Sequence, residues 1–286
     1  MTEVVTTIAQ VRERVAAARR KDARVGLVPT MGALHEGHAS LVRAARAECG
    51  FVVVSVFVNP TQFVAGEDFQ EYPRRPEADR LAAEKAGAQL VFAPSPREMY
   101  PDGFAVRVSV PGRMSEAMCG AFRPGHFDGV CTVVAKLLLI VGADAAYFGE
   151  KDAQQLAIIR RMAADLNIPT AIRGCPLVRD ADGLALSSRN EYLSADDRRR
   201  ALVLSRALGD ARQAILAGER DGRRVAALVR ERIAAQDGVE LQYAVVVDPD
   251  SLRDLERIGN QALVAVAAKV GGTRLIDNVV LRGLNG

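Results

Sequence analysis

Apolar residues 24–28 make a short strand pattern, and a Pro/Gly loop separates them from a segment whose Leu41, Val42, Ala45 and Cys49 recur at helical spacing. The next run, residues 51–58, is β-branched and almost unbroken, as expected of a central parallel strand covered by helices on both faces. Together these predict a βαβ unit. The alternation continues with a helix over 76–87 and short strands over 88–92 and 106–110. Residues 130–141 predict a helix that Leu139 and Ile140 make apolar almost all round; burial in the core is the expectation, an oligomer contact the alternative. A strand over 145–148, its exit loop 149–152 and a helix marked by Leu156, Ile159, Ala163 and Leu166 extend the series. Such alternation predicts an α/β fold with a Rossmann-like, doubly wound parallel sheet.

Near residues 172–178 the pattern changes. Asp182-Gly183 between short apolar stretches predicts a hairpin turn. Ser194 with Asp197 resembles a capping box opening a long helix, and Asp221 opens a second running to about residue 236. Strand patterns at 241–247, 262–268 and 273–281 complete a smaller α+β unit. The expected division is a Rossmann-like domain over 1–177 and a smaller C-terminal α+β lid domain over 178–286.

Composition changes this picture little: 49% hydrophobic and 26% charged residues in 286 exclude disorder, collagen-like repeats and a disulfide scaffold. A net charge of +3 from 38 basic and 35 acidic side chains is too weak for a nucleic-acid footprint, and Arg198-Arg199-Arg200 reads as a solvated helix face. Cys49, Cys119, Cys131 and Cys175 contain no CxxC pair, which disfavours a metal cluster and suits a reducing cytoplasm. No signal-peptide pattern precedes the charged stretch 12–20, and the most apolar stretch falls well short of the roughly 20 residues that span a bilayer, so a soluble, cytoplasmic chain is expected.

The chemistry concentrates where the first strand meets its helix. Of three histidines, His35 and His38 lie within four residues there. In open α/β sheets ligands bind at the carboxyl ends of the strands, where a helix N-terminus offers free N–H groups to phosphate. Two imidazoles can donate to phosphate oxygens, and Gly32 and Gly37 allow close approach of nucleotide and backbone. Two surface histidines at a helix cap are the structural alternative; zinc is a weaker one, because HxxH lacks one-turn spacing and an added carboxylate.

The order of motifs says more. Pro29-Thr30-Met31-Gly32-Ala33-Leu34-His35-Glu36-Gly37-His38 is followed by Asn59-Pro60-Thr61-Gln62, Tyr72-Pro73-Arg74, Gly149-Glu150-Lys151-Asp152 and Leu186-Ser187-Ser188-Arg189-Asn190. The first string resembles the HxGH signature of the nucleotidylyltransferase superfamily, and the whole set resembles the pantothenate synthetase (pantoate–β-alanine ligase) family across nearly the entire chain. That resemblance implies ATP, (R)-pantoate and β-alanine as substrates, Mg²⁺ with the ATP, a pantoyl-adenylate intermediate, release of AMP and pyrophosphate, and a homodimer. It implies ATP contacts along 29–38, at Gly149, Glu150, Lys151, Asp152 and Val178, and at Leu186, Ser187, Ser188 and Arg189. His35, His38 and Lys151 become the catalytic set. Gln62 and Gln155 become the pantoate amides, Gln62 serving β-alanine too, with Asn59, Tyr72, Asp79 and His126 as further members.

Structural alternatives remain at several of these positions. Lys151 also reads, with less weight, as a solvated loop lysine; Asp152 with Gln155 reads equally as a capping box, residues 187–190 as a hydrophilic turn, Tyr72 as a rim packing residue, and His126 as a satisfied helix-end histidine. Thr61 stands where the family often has Met and Ala153 where an aromatic is common. The competing enzyme reading is a nucleotidyltransferase that adenylates a small phosphate ester, and the competing binding reading is a tRNA- or nucleotide-binding relative without turnover.

Overall fold

Valine-rich segments with no polar face have one stable home, the middle of a sheet covered on both sides. A computed structural model, which describes residues 1–284, places them there. In the first half, strands β1 (Glu3–Val5), β2 (Val25–Thr30), β3 (Phe51–Val56), β4 (Leu90–Phe92), β5 (Ala145–Gly149) and β6 (Ala171–Cys175) form one sheet ordered β1-β4-β3-β2-β5-β6. Every pairing in it is parallel. Leu27, Val53 and Phe92 are fully buried in it, each such side chain contributing roughly 2 kcal/mol of apolar burial.

Helices α1 (Ile8–Arg19), α2 (Glu36–Glu48), α3 (Pro76–Ala86), α7 (His126–Val141) and α8 (Ala153–Asp165) cover the sheet, with three one-turn helices α4 (Pro96–Met99), α5 (Arg113–Glu116) and α6 (Cys119–Phe122) between α3 and α7. The expected helix over 130–141 is buried except at Leu139, which is 65% exposed, so central burial holds for every other position of that stretch apart from the half-buried Lys136. The strand expected over 106–110 is absent. That segment has no backbone partner among the described residues; the Val108 N–H goes to Thr132 Oγ1 instead (3.0 Å).

The second half buries a separate apolar core between two helices and a three-stranded antiparallel sheet. Ser194 caps α9 (Ala195–Leu216) by accepting from Asp197 N–H (3.1 Å), and Asp221 caps α10 (Gly222–Ala234). Strands β7 (Val239–Val247), β8 (Gln261–Val270) and β9 (Thr273–Arg282) follow in the order β7-β8-β9. The turn expected at Asp182-Gly183 is present: Gly183 has φ of 96°, donates to Asp180 O, and lies within the antiparallel bridge Arg179–Ala185.

Strand order reverses beside β2, whose neighbours are β3 on one side and β5 on the other. A crevice therefore opens between the carboxyl ends of β2 and β5. Thr30 ends the first and Gly149 the second, so the chain leads the histidine motif and the lysine turn into the same place.

Candidate active site

At that crevice His35 is the N-cap of α2. Its Nδ1 accepts from Gly37 N–H (3.1 Å), and His38 Nδ1 accepts from His35 N–H (3.3 Å), a reciprocal cap made of two imidazoles. A backbone N–H can only donate, so both Nδ1 atoms are unprotonated and the ring proton sits on Nε2. The rings lie 4.0 Å apart. Burial, then the charge of Lys151, lowers the His35 pKa to about 4; burial, His35 and Lys151 lower that of His38 to about 3. Near neutral pH the pair is uncharged, each ring presenting an Nε2–H donor.

Gly37 allows this packing: a Cβ there would stand 2.8 Å from His35 Cε1. Gly32 turns the chain with φ of 86°, and a Cβ would meet Asp79 Oδ2 at 2.9 Å. Asp79 is buried and accepts from Ala33 N–H (3.1 Å) and Leu34 N–H (2.7 Å); burial raises its pKa against those two bonds. It braces the loop, and the two N–H groups are committed to it.

The cleft in front of the histidines has a cavity volume of about 210 Å³. Pro29, Thr30, Met31, Gly37 and both histidines line one side. Gly149, Lys151, Asp152 and Gln155 line another, and Val178, Ser187, Ser188, Arg189 and Leu186 arrive from the second half of the chain. Asn59, Gln62 and Tyr72 complete it. Of the residues predicted on sequence, Gly32, Ala33, Leu34 and Asp79 stand behind this surface, Glu36 pairs with Arg43, and Glu150 pairs with Arg282 (3.3 Å).

Gln62 ends a 3-10 turn, Pro60–Gln62, and is buried. Its Oε1 accepts from Asn59 Nδ2 (3.0 Å), while its Nε2 meets only the Met31 sulfur (3.1 Å), a weak acceptor that leaves amide donor capacity facing the cleft. Gln155 makes no side-chain hydrogen bond to another described residue, and the N-cap Asp152 makes no side-chain cap bond, so the capping-box alternative for this pair fails. Lys151, its side chain 20% exposed, is 3.7 Å from Asp152 and lines the cleft. Thr61 faces away, its Oγ1 donating to Asn59 Oδ1 (3.0 Å), and Ala153 lines an adjoining chamber.

Tyr72 is buried, with its OH 3.1 Å from Ser188 Oγ. Arg189 is held by Asp68 through Nε (2.9 Å) and NH2 (2.7 Å), a bidentate pair that the sequence offered no sign of. Sequence reasoning also missed the apolar floor of the cleft, Phe57, Val130, Val134 and Phe148, whose periodicity reads simply as core. His126 opens α7 and lines the adjoining chamber with Arg123, Tyr243 and Arg274 rather than the histidine cleft.

A reversal point in a parallel sheet, neutral imidazole donors on a helix cap and a lysine opposite them define a nucleotide-binding α/β enzyme of the HxGH type. The family model for pantoate–β-alanine ligase matches residues 3–280. The pantothenate synthetase of Heliobacterium modesticaldum is 53% identical over 277 residues, 96% of this chain and 98% of its own length. That of Acidobacterium capsulatum is 56% identical over 257 residues, 90% of this chain and 86% of its own. Pantothenate synthetase from Thermus thermophilus superposes with a TM-score of 0.92 at 46% identity, covering 100% of both chains. Pantoate–β-alanine ligase from Francisella tularensis, complexed with beta-gamma ATP and β-alanine, gives 0.77 at 33% identity over 98% of each chain. The chain belongs to the pantoate–β-alanine ligase family, and is a ligase.

Proposed function

We propose that this enzyme joins (R)-pantoate to β-alanine with ATP through a pantoyl adenylate. The observation that carries the reading is the convergence of His35, His38 and Lys151 at the strand-reversal crevice, in one cleft with the incompletely bonded amides of Gln62 and Gln155. The pantoate carboxylate, already ionised, attacks the α-phosphorus and pyrophosphate leaves. The β-alanine amine then attacks the acyl carbon, loses a proton and expels AMP. No enzyme nucleophile is needed, so the protein acts by orienting the reactants and stabilising charge on the phosphoryl oxygens.

In this scheme the two Nε2–H groups and the Lys151 ammonium meet the phosphates, and Ser187, Ser188 and Arg189 close over them. Val178 and Leu186, joined by a backbone bond of 3.0 Å, flank the nucleotide. Gln62 and Gln155 take the pantoate, Gln62 also the amine, with Asn59 and Tyr72 supporting. Mg²⁺ enters as part of the substrate, carried on the triphosphate; Asp152, beside Lys151, is the carboxylate placed to meet it, and the described residues contain no cluster of three metal-binding side chains.

The boundary between the two units is placed at 177/178, supported by the end of β6 at Cys175 and by Leu184 as the first member of the second core. A homodimer is supported by the exposed Leu139, two helical turns beyond Thr132, against which the segment bearing the exposed Val106 lies. A cytoplasmic location is supported by four free cysteines, and no helix among the described residues is long and apolar enough to cross a membrane. The test is AMP release from Mg-ATP with pantoate or β-alanine omitted in turn. Steady AMP release should require both; a dinucleotide product without AMP would overturn the reading.

A further inference from the structure

The last carbonyl of a 3-10 turn has no partner within the turn and must find one elsewhere. For Gln62 that partner is a side chain. His126 Nδ1 lies 2.7 Å from Gln62 O, and Arg123 NH2 reaches the same oxygen at 3.4 Å. A carbonyl only accepts, so Nδ1 carries the proton. His126 Nε2 is then an acceptor, and Arg123 NH1 donates to it at 2.8 Å. Arg123 is oriented in turn by Glu67, with Nε on Oε1 (2.5 Å) and NH2 on Oε2 (2.7 Å). Glu67 Oε2 also accepts from Val64 N–H (3.2 Å), pinning the chain just after the turn.

This set is removed from water: His126 is 6% exposed, and the Arg123 and Glu67 side chains 12% and 19%. Burial, then the charge of Arg123, holds the His126 pKa down at about 4, consistent with a neutral ring. From the other side Asn59 Nδ2 bonds both Gln62 Oε1 (3.0 Å) and Gly129 O (3.2 Å), and a Cβ at Gly129 would stand 2.2 Å from Thr61 O, so α7 packs directly on the turn. All these contacts converge on Gln62, one of the two residues whose amides are proposed to meet the acid.

We infer that Glu67, Arg123 and His126 form a positioning relay that fixes the backbone of Gln62, and through it the amide that selects the carboxylic-acid substrate. The inference rests on the role proposed for Gln62. His126 is thereby a positioning residue acting through a carbonyl and does not touch the substrate. None of the relay's hydrogen bonds goes to His35, His38 or Lys151, so its loss falls first on acid recognition.

The test is steady-state AMP release by the full-length enzyme with His126→Ala, His126→Asn and Glu67→Ala, each with its melting temperature. Asn places an amide donor where Nδ1 sits. His126→Ala and Glu67→Ala should raise the pantoate KM about tenfold, the effect of weakening one positioning hydrogen bond, with the ATP KM within about twofold of wild type. His126→Asn should restore most of the loss. Should His126→Ala fail to fold, Glu67→Ala, at the outer end of the relay, carries the test alone. A pantoate KM unchanged in Glu67→Ala, or ATP and pantoate KM values rising together, would overturn the inference. Wild-type enzyme showing no pantoate-dependent AMP release would instead overturn the proposed reaction beneath it.

Discussion

His38→Asn separates the two jobs of one imidazole. Nδ1 accepts the His35 N–H at 3.3 Å and completes the helix cap, while Nε2–H is left free for the triphosphate. An asparagine amide oxygen occupies roughly the Nδ1 position and keeps the cap, but the side chain is too short to replace the Nε2 donor. One preorganised donor to a charging phosphoryl oxygen is worth about 3 to 4 kcal/mol, so kcat for AMP release should fall about a hundred- to a thousandfold. Melting should stay within a few degrees of wild type. His38→Ala should lose the same rate and also leave the His35 N–H without its side-chain acceptor, at a cost of about 1 kcal/mol or a further fall of a few degrees. Because His38 has a pKa of about 3, the wild-type to variant rate ratio should be flat above about pH 5. Turnover of His38→Asn within threefold of wild type, or a ratio that titrates near 6.5, would refute the donor argument.

Further outcomes are open to measurement. Gln62→Ala should raise the pantoate KM at least tenfold with little change for ATP; an unaltered pantoate KM removes Gln62 from the acid site. Asp68→Asn releases Arg189 from its bidentate carboxylate and should lower the ATP KM a few-fold, checked by steady-state kinetics; a raised KM would mean that the pair holds Arg189 in place for the phosphates. His35, His38 and His126 all have folded-state pKa values of about 3 to 4, below the 6.5 of a free histidine. The unfolded chain therefore binds protons first as pH falls, and stability present above 6.5 is lost towards pH 4 at roughly 1.4 kcal/mol per pH unit per histidine. Melting temperatures that stay level from pH 7 to 4.5 would contradict this.

Where a segment's fate depends on its own side chains, the chain announces it. Residues 51–58 admit no environment except a covered strand, and His35-Glu36-Gly37-His38 carries rare residue types at the position where the fold puts ligands. Where the outcome depends on a distant partner, the local pattern misleads. Residues 106–110 alternate like a strand, yet no edge of the sheet receives them. Strand β1 is three residues long and α1 buries only Val11, Val15 and Ala18, too little patterning to stand out in a charged N-terminus. Asp152 and Gln155 have the spacing of a capping box, but no cap bond forms and both line the cleft. Glu67 and Asp68 lie in an irregular loop, and their partners Arg123 and Arg189 are 56 and 121 residues away.

Asn278, on the last strand of the second unit, donates through Nδ2 to the carbonyls of Glu150 (2.9 Å) and Lys151 (2.8 Å). The small sheet is thus stitched to the turn that carries Lys151 into the cleft. The two units are also joined at Arg189–Asp68, Arg75–Glu191 and Tyr243–Cys119, so the lysine turn is one of several fastenings between them. A shift of the last strand would therefore be felt directly by the backbone on either side of Lys151, which makes the second unit's position a determinant of where that ammonium points.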